Sequence, residues 1–272
     1  MMRFVPLALY AAALAAYVWH FAVRHAAVGR AATTLLVAGA FAHTFLIGMQ
    51  TMAIGHVPFA GPTSFISTFV WLLALAYLYT EMTTEERAMG AFILLLIVAL
   101  QTIPTFQPGV EDRAEVLESP LFGVHVSSLL FAYASFALAC VIGITYVLLF
   151  KEIKAKHLGF FYARLPSLQV LDSMNQRAIA VGWAFLTIGL IVGAVWASQA
   201  PTTDPRVQAM QVQDPKIFLA LVCWAVYSFE VFAARRIGWG GRRTAYLSAI
   251  GFAIVLLNFV PISYFLTRSH NF

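Results

Sequence analysis

Apolar runs, each about as long as a hydrocarbon layer is thick, alternate with short polar stretches along the whole 272-residue chain. A helix needs about 20 mostly apolar residues, at about 1.5 Å rise each, to cross a bilayer. Eight segments fit that requirement: 4–23, 31–49, 64–80, 88–104, 122–150, 178–200, 217–234 and 245–267. The third and fourth are short but carry almost no charge. The fifth exceeds what a span needs, which predicts a helix that tilts or runs past the membrane. No internal repeat or low-complexity stretch interrupts the series. The predicted fold class is therefore all-α: a polytopic membrane helix bundle of about eight transmembrane helices, forming one integral membrane domain over residues 1–272. Residues 4–23 read as a retained first helix, because Arg24, His25 and Arg30 follow them where a signal peptide would have a small-residue cleavage site.

Composition agrees with the pattern and narrows the partners. Hydrophobic residues make up 61% of the chain and charged residues 11%, against about 25% charged in an ordinary soluble domain. Mean hydropathy is +0.81. A water-soluble surface does not hide this much apolar area, so the lipid bilayer is the first predicted partner. The net charge of +5 does not predict nucleic-acid binding, because the basic residues sit in short loops and not on one face or in one tail. Their placement is a topology signal. Twelve of the 17 Lys and Arg fall in the connections after the odd-numbered helices: Arg24, Arg30, Arg87, Lys151, Lys154, Lys156, Arg164, Arg177, Arg235, Arg236, Arg242 and Arg243. Positively charged loops stay on the cytoplasmic side, which predicts both termini outside.

Ionisable residues in or beside a span are costly and are functional candidates for that reason. They are His20, His43, His56, His125, Glu230 and His270. The predicted topology puts His125 at the outer end of the fifth helix and His270 just beyond the outer end of the eighth. His56 falls in the first outer loop, and His43 in the outer half of the second helix. Imidazole is the commonest metal ligand, and two histidines from separate helix ends suit the two axial positions of a haem iron. A hydrogen-bonded boundary residue is the plainer alternative for each. Glu230 reads either as an ion pair with Arg235 or Arg236 or as part of a proton relay. Asp214-Pro215 reads as a helix start. Cys140 and Cys223 lie inside apolar runs without a Cys-x-x-Cys spacing, so neither thiol redox chemistry nor covalent haem attachment is predicted. No nucleophile–base pair or metal triad emerges from the spacing, so no enzyme activity is predicted.

A collinear set of residues resembles the cytochrome c assembly family of CcsA and HemX type. In order, the set is His43-Thr44, Gly55-His56-Val57-Pro58, Ser119-Pro120, His125-Val126, Tyr133 and Phe136. It continues with Gly193-Ala194-Val195-Trp196-Ala197, Asp214-Pro215-Lys216, Trp224, Tyr227, Gly240-Gly241-Arg242-Arg243 and Ser269-His270. The resemblance covers most of the chain and implies haem handling, with haem b as cofactor. It implies that His125 and His270 are axial ligands of the haem iron at the outer face, and it leaves His43 and His56 as further cofactor-binding candidates. It also implies a bacterial cytoplasmic (inner) membrane setting, with other cytochrome c assembly or respiratory membrane proteins as partners.

Two departures separate this chain from the CcsA pattern. The Trp-rich segment expected before Asp214 is absent: Pro201–Gln213 contains no tryptophan. Phe232 stands where a further membrane histidine is expected. Both leave apocytochrome c open as a partner. They keep a second reading in play, a HemX-like regulatory or accessory subunit of a haem or respiratory complex without haem-ligation activity.

Overall fold

A computed structural model describes residues 2–59, 61–107, 119–156, 159–199 and 215–259. Among the described residues the chain is all helical. The helices are α1 (Phe4–Val23), α2 (Ala26–Ile54), α3 (Pro62–Thr84), α4 (Gly90–Phe106), α5 (Pro120–Lys154), α6 (Phe160–Arg164), α7 (Leu168–Gln199), α8 (Pro215–Phe232) and α9 (Arg242–Phe259). A short π-helical turn, Ala233–Ile237, continues α8. Six of these stretches are long and apolar enough to cross a membrane: α1, α2, α3, α5, α7, and α8 with its π turn. The fourth predicted span is a shorter apolar helix, Gly90–Phe106. The eighth is described to Phe259, so its predicted end at 267 and His270 lie outside the described residues, as does most of the predicted connection 201–216.

Local sequence accounts for the breaks between helices. Pro62 and Pro120 open α3 and α5 in the first turn, where a missing N–H costs nothing. Gly55 closes α2 with φ +91°, a left-handed conformation that glycine adopts without a Cβ clash. The link from α1 to α2 is a two-residue turn, with Arg24 left-handed and its N–H bonded to the His20 carbonyl (2.7 Å).

Several helices run further than the apolar pattern predicts. α2 covers 26–54 in place of 31–49, and α7 begins at Leu168 in place of 178. The 151–177 stretch, expected as a connection, holds the end of α5, the five-residue α6 and the first turns of α7. At about 1.5 Å per residue the 35 residues of α5 reach roughly 50 Å, well beyond a hydrocarbon core of about 30 Å.

α5 and α7 pack intimately at the centre. The Phe136 ring on α5 lies so close to Gly182 on α7 that a Cβ there would stand 2.5 Å from it. The other side of Phe136 stacks on Tyr227 of α8, with centroids 3.5 Å apart. Trp183 and Trp224 tie α7 to α8 through their indole N–H groups, donating to Ser228 (2.8 Å) and Thr187 (2.9 Å). In lipid such polar contacts between helices replace water as the partner of each buried donor. The outer surface is apolar in turn: Phe41 is 72% exposed and Leu95 60%. A membrane covers such a surface, whereas water would not tolerate it.

Candidate functional site

Helix alternation gives the bundle two ends. One is rich in arginine: Arg24 donates to the Leu165 carbonyl (3.5 Å), Arg177 to the Thr83 carbonyl, and Arg87 pairs with Glu81 (3.5 Å). The other end holds the start of α1 beside the end of α4, where Phe4 meets Phe106 edge to face at 5.7 Å. The candidate histidines His43, His56 and His125 belong towards this second end, on α2, on the connection after it, and on α5.

His125 is anchored to a neighbouring helix through one ring nitrogen. One turn into α5, its Nδ1 donates to the Gly189 carbonyl of α7 at 2.7 Å. A carbonyl only accepts, so Nδ1 carries the proton and Nε2 keeps its lone pair. This is how the far nitrogen of a metal-bound histidine is held: a fixed outer acceptor sets the tautomer and the ring orientation. The Nδ1–Cε1 edge of the ring lies so close to Gly193 that any Cβ there would collide with it, so Gly193 is what admits an imidazole between two helices. Phe122 flanks the ring at 6.4 Å and packs on the buried Trp196 at 5.0 Å, forming an aromatic wall on one side.

His43 has a different setting. It is fully buried, and both ring nitrogens are engaged, Nδ1 with the Tyr10 hydroxyl (3.2 Å) and Nε2 with Ser67 (3.0 Å). The imidazole thereby joins α1, α2 and α3. Beside it Trp71 donates to Thr44 (2.8 Å), a second α2–α3 tie. His56 is buried in the connection after α2, its Nδ1 donating to the Val57 carbonyl (2.9 Å). The same connection is held to α3 by Thr68 donating to the Pro58 carbonyl (2.9 Å). His270 lies outside the described residues, and among them no hydrogen bond or ring contact links His43 to His125. No group of three or more His, Cys, Asp and Glu stands close enough there to hold a bare metal ion.

The sequence reading missed two carboxylates that organise the arginine-rich end. Glu81 of α3 is 2% exposed and accepts from Tyr17 (2.6 Å), from Thr33 and from Arg87. Asp172 of α7 accepts from the Gly241 N–H (2.8 Å), Thr244 (3.2 Å) and Gln176 (3.0 Å), fixing the N-terminus of α9. Both sit beyond the predicted apolar cores, where a carboxylate passes for a loop residue. Glu230 corrects an expectation. It forms no ion pair with Arg235 or Arg236 but lies buried, 1% exposed, with Oε1 3.1 Å from Ser248. Arg235 and Arg236, at the end of α8, are exposed.

The order of these features along the chain matches a known family. The family model for "Cytochrome C assembly protein" matches residues 3–271. The chain belongs to that family. Among curated relatives, "Cytochrome c biogenesis protein CcsA" of Guillardia theta is 28% identical over 249 residues, covering 84% of this chain and 81% of that protein. The CcsA protein of Synechococcus elongatus is 25% identical over 264 residues, covering 80% of this chain and 79% of its own length. The CcsA protein of Chlamydomonas reinhardtii is 27% identical over 220 residues, covering 77% of this chain and 59% of that protein. The chain is thus an integral membrane member of the cytochrome c assembly family, similar to the CcsA proteins of these organisms.

Proposed function

We propose that this chain is a non-catalytic haem-binding component of cytochrome c assembly, holding haem b at the outer membrane face between His125 and His270. The observation that carries the reading is the His125 setting, with Nδ1 committed to the Gly189 carbonyl and Nε2 left as the basic nitrogen. When bound with two axial histidines, haem supplies an iron centre with no open coordination position for substrate. The residues of this chain do the rest. Gly189 fixes the tautomer, Gly193 lets the ring reach its position, and Phe122 and Trp196 shield it from water. His270 is carried over from the family resemblance alone. His43, with both nitrogens engaged, serves as the pin of α1, α2 and α3 and not as a ligand. Eight spans with both termini outside, in a bacterial cytoplasmic membrane, complete the reading. Its support is the excess of Lys and Arg in alternate connections.

A second reading has its own observation, the absence of tryptophan from Pro201–Gln213. Without that segment the chain docks haem but does not present it to apocytochrome c, and it acts as an accessory subunit beside other assembly proteins. Visible spectra of the protein purified in mild detergent, oxidised and reduced, test the main reading. A Soret band with sharp reduced α and β bands is expected. It should be lost in the His125→Ala, His270→Ala double variant and retained in His43→Ala. A spectrum free of haem even after haem is added, or one unchanged by the double variant, rejects the ligand assignment. Haem that stays bound while no cytochrome c is matured favours the accessory reading.

A further inference from the structure

A second polar centre lies at the opposite, arginine-rich end, between α7, α8 and α9, and its hydrogen-bond balance does not close. Ser248 of α9 stands 3.1 Å from Glu230 Oε1, 2.9 Å from Asn175 Oδ1 and 2.8 Å from the Thr244 carbonyl. All three are acceptors, and a serine hydroxyl carries one proton. Glu230 Oε2 has no hydrogen-bond partner at all. Asn175 donates one of its two amide N–H groups to the Ala139 carbonyl (3.4 Å). Glu230, 1% exposed, thus shares one hydroxyl with two other acceptors while its second oxygen has no partner, which is costly in a buried site.

Glu230 forms part of the floor of a cleft of about 560 Å³ that opens between α7 and α8. Asp172, Gln176, Arg177 and Arg235 give it a polar lining, and Val231 and Ala234 an apolar flank. Asp172 accepts from the Gly241 N–H and from Gln176 and shares the Thr244 hydroxyl with the Gly241 carbonyl, whereas Glu230 Oε2 has no partner.

We propose that this cleft binds the headgroup of a phospholipid bearing a primary ammonium, of the phosphatidylethanolamine type. The ammonium brings three N–H donors and a positive charge to Glu230. Arg235, with the free part of the Arg177 guanidinium, meets the phosphate, and the apolar flank carries the start of the acyl chains. The cleft lies where α8 gives way to Arg235 and Arg236, which is the depth of lipid headgroups for a helix ending in arginine. A free zwitterion such as phosphoethanolamine has the same charges but leaves the apolar flank bare. This inference does not depend on haem.

Native mass spectrometry of the whole protein in detergent tests it. The probes are phosphatidylethanolamine, phosphatidylcholine and phosphatidylglycerol with identical acyl chains, and soluble phosphoethanolamine. Phosphatidylcholine is the sharpest control, since its quaternary nitrogen keeps the charge but has no N–H. The wild-type protein is expected to retain one phosphatidylethanolamine at least several-fold better than either other lipid, and to retain no phosphoethanolamine. Glu230→Gln should abolish the preference over phosphatidylcholine, and Arg235→Gln should weaken ethanolamine and glycerol lipids alike. Equal retention of phosphatidylethanolamine and phosphatidylcholine by the wild-type protein overturns the proposal without recourse to any variant. A preference that survives in Glu230→Gln also overturns it, and retention of phosphoethanolamine would reject the lipid in favour of the free zwitterion.

Discussion

At the scale of single residues, a membrane interior turns each polar side chain into a question of donors and acceptors. Glu81 shows the answered case. Tyr17, Thr33 and Arg87 surround it with donors drawn from α1, α2 and the turn after α3, so one carboxylate ties three elements together. Tyr17→Phe removes one donor while leaving the ring packed against Tyr77 at 6.0 Å, so the loss isolates the hydrogen bond. We expect a destabilisation of about 1–3 kcal/mol, read as a lowered unfolding midpoint in detergent. A midpoint unchanged within error would mean that Thr33 and Arg87 alone satisfy Glu81. His125 depends on a similar partner, but a backbone one. Its acceptor is the Gly189 carbonyl on another helix, and backbone acceptors leave no mark in a sequence. The histidine was therefore legible and its tautomer was not. For the same reason Glu230 invited pairing with Arg235 and Arg236 nearby in sequence. In a helix, a side chain faces a neighbour according to its angle around the axis, and the face of Glu230 meets α9.

At the scale of elements, apolar length located the membrane-crossing cores and missed their polar extensions. The window that defines a span loses residues such as Arg30 at the start of α2 and Asp172, Asn175, Gln176 and Arg177 at the start of α7. The α7 positions among them find partners within the bundle. Asp172 reaches the α9 start, Asn175 the Ala139 carbonyl, and Arg177 the Thr83 carbonyl. The extension of α7 is therefore a tertiary effect that a hydropathy pattern does not encode. Asp172→Ala tests this dependence. It strips the acceptor from the Gly241 N–H and from Thr244 and removes negative charge from the N-terminus of α9. The expected loss is about 1–3 kcal/mol. Local opening should concentrate in the Gly241–Ala245 segment, seen as faster amide exchange there than in α1 or α2. Uniform exchange across the bundle would show instead that α9 is held by its apolar face alone.

At the scale of the whole molecule, the two ends of the bundle differ in charge and in chemistry, and the proposed functions divide between them. The His125 setting belongs to one end and the Glu230 cleft to the other. The alternation of the helices follows from the order of apolar runs, but which compartment each end faces rests on the excess of basic residues. That excess is large enough to predict orientation: 12 of 17 Lys and Arg fall in the predicted connections after the odd-numbered spans. Labelling of single cysteines with a membrane-impermeant maleimide measures it. Cys140 and Cys223 are free thiols within helices and are replaced by alanine first. Met2, 54% exposed beside the start of α1, and Lys154, exposed at the end of α5, then report on opposite ends. In intact cells Met2→Cys should label, whereas Lys154→Cys should label only after the membrane is permeabilised. The opposite result would put His125 at the cytoplasmic face. Outer-face haem delivery would then fall even with every haem contact intact, because a ligand on the wrong side of a bilayer cannot serve a cytochrome assembled on the other.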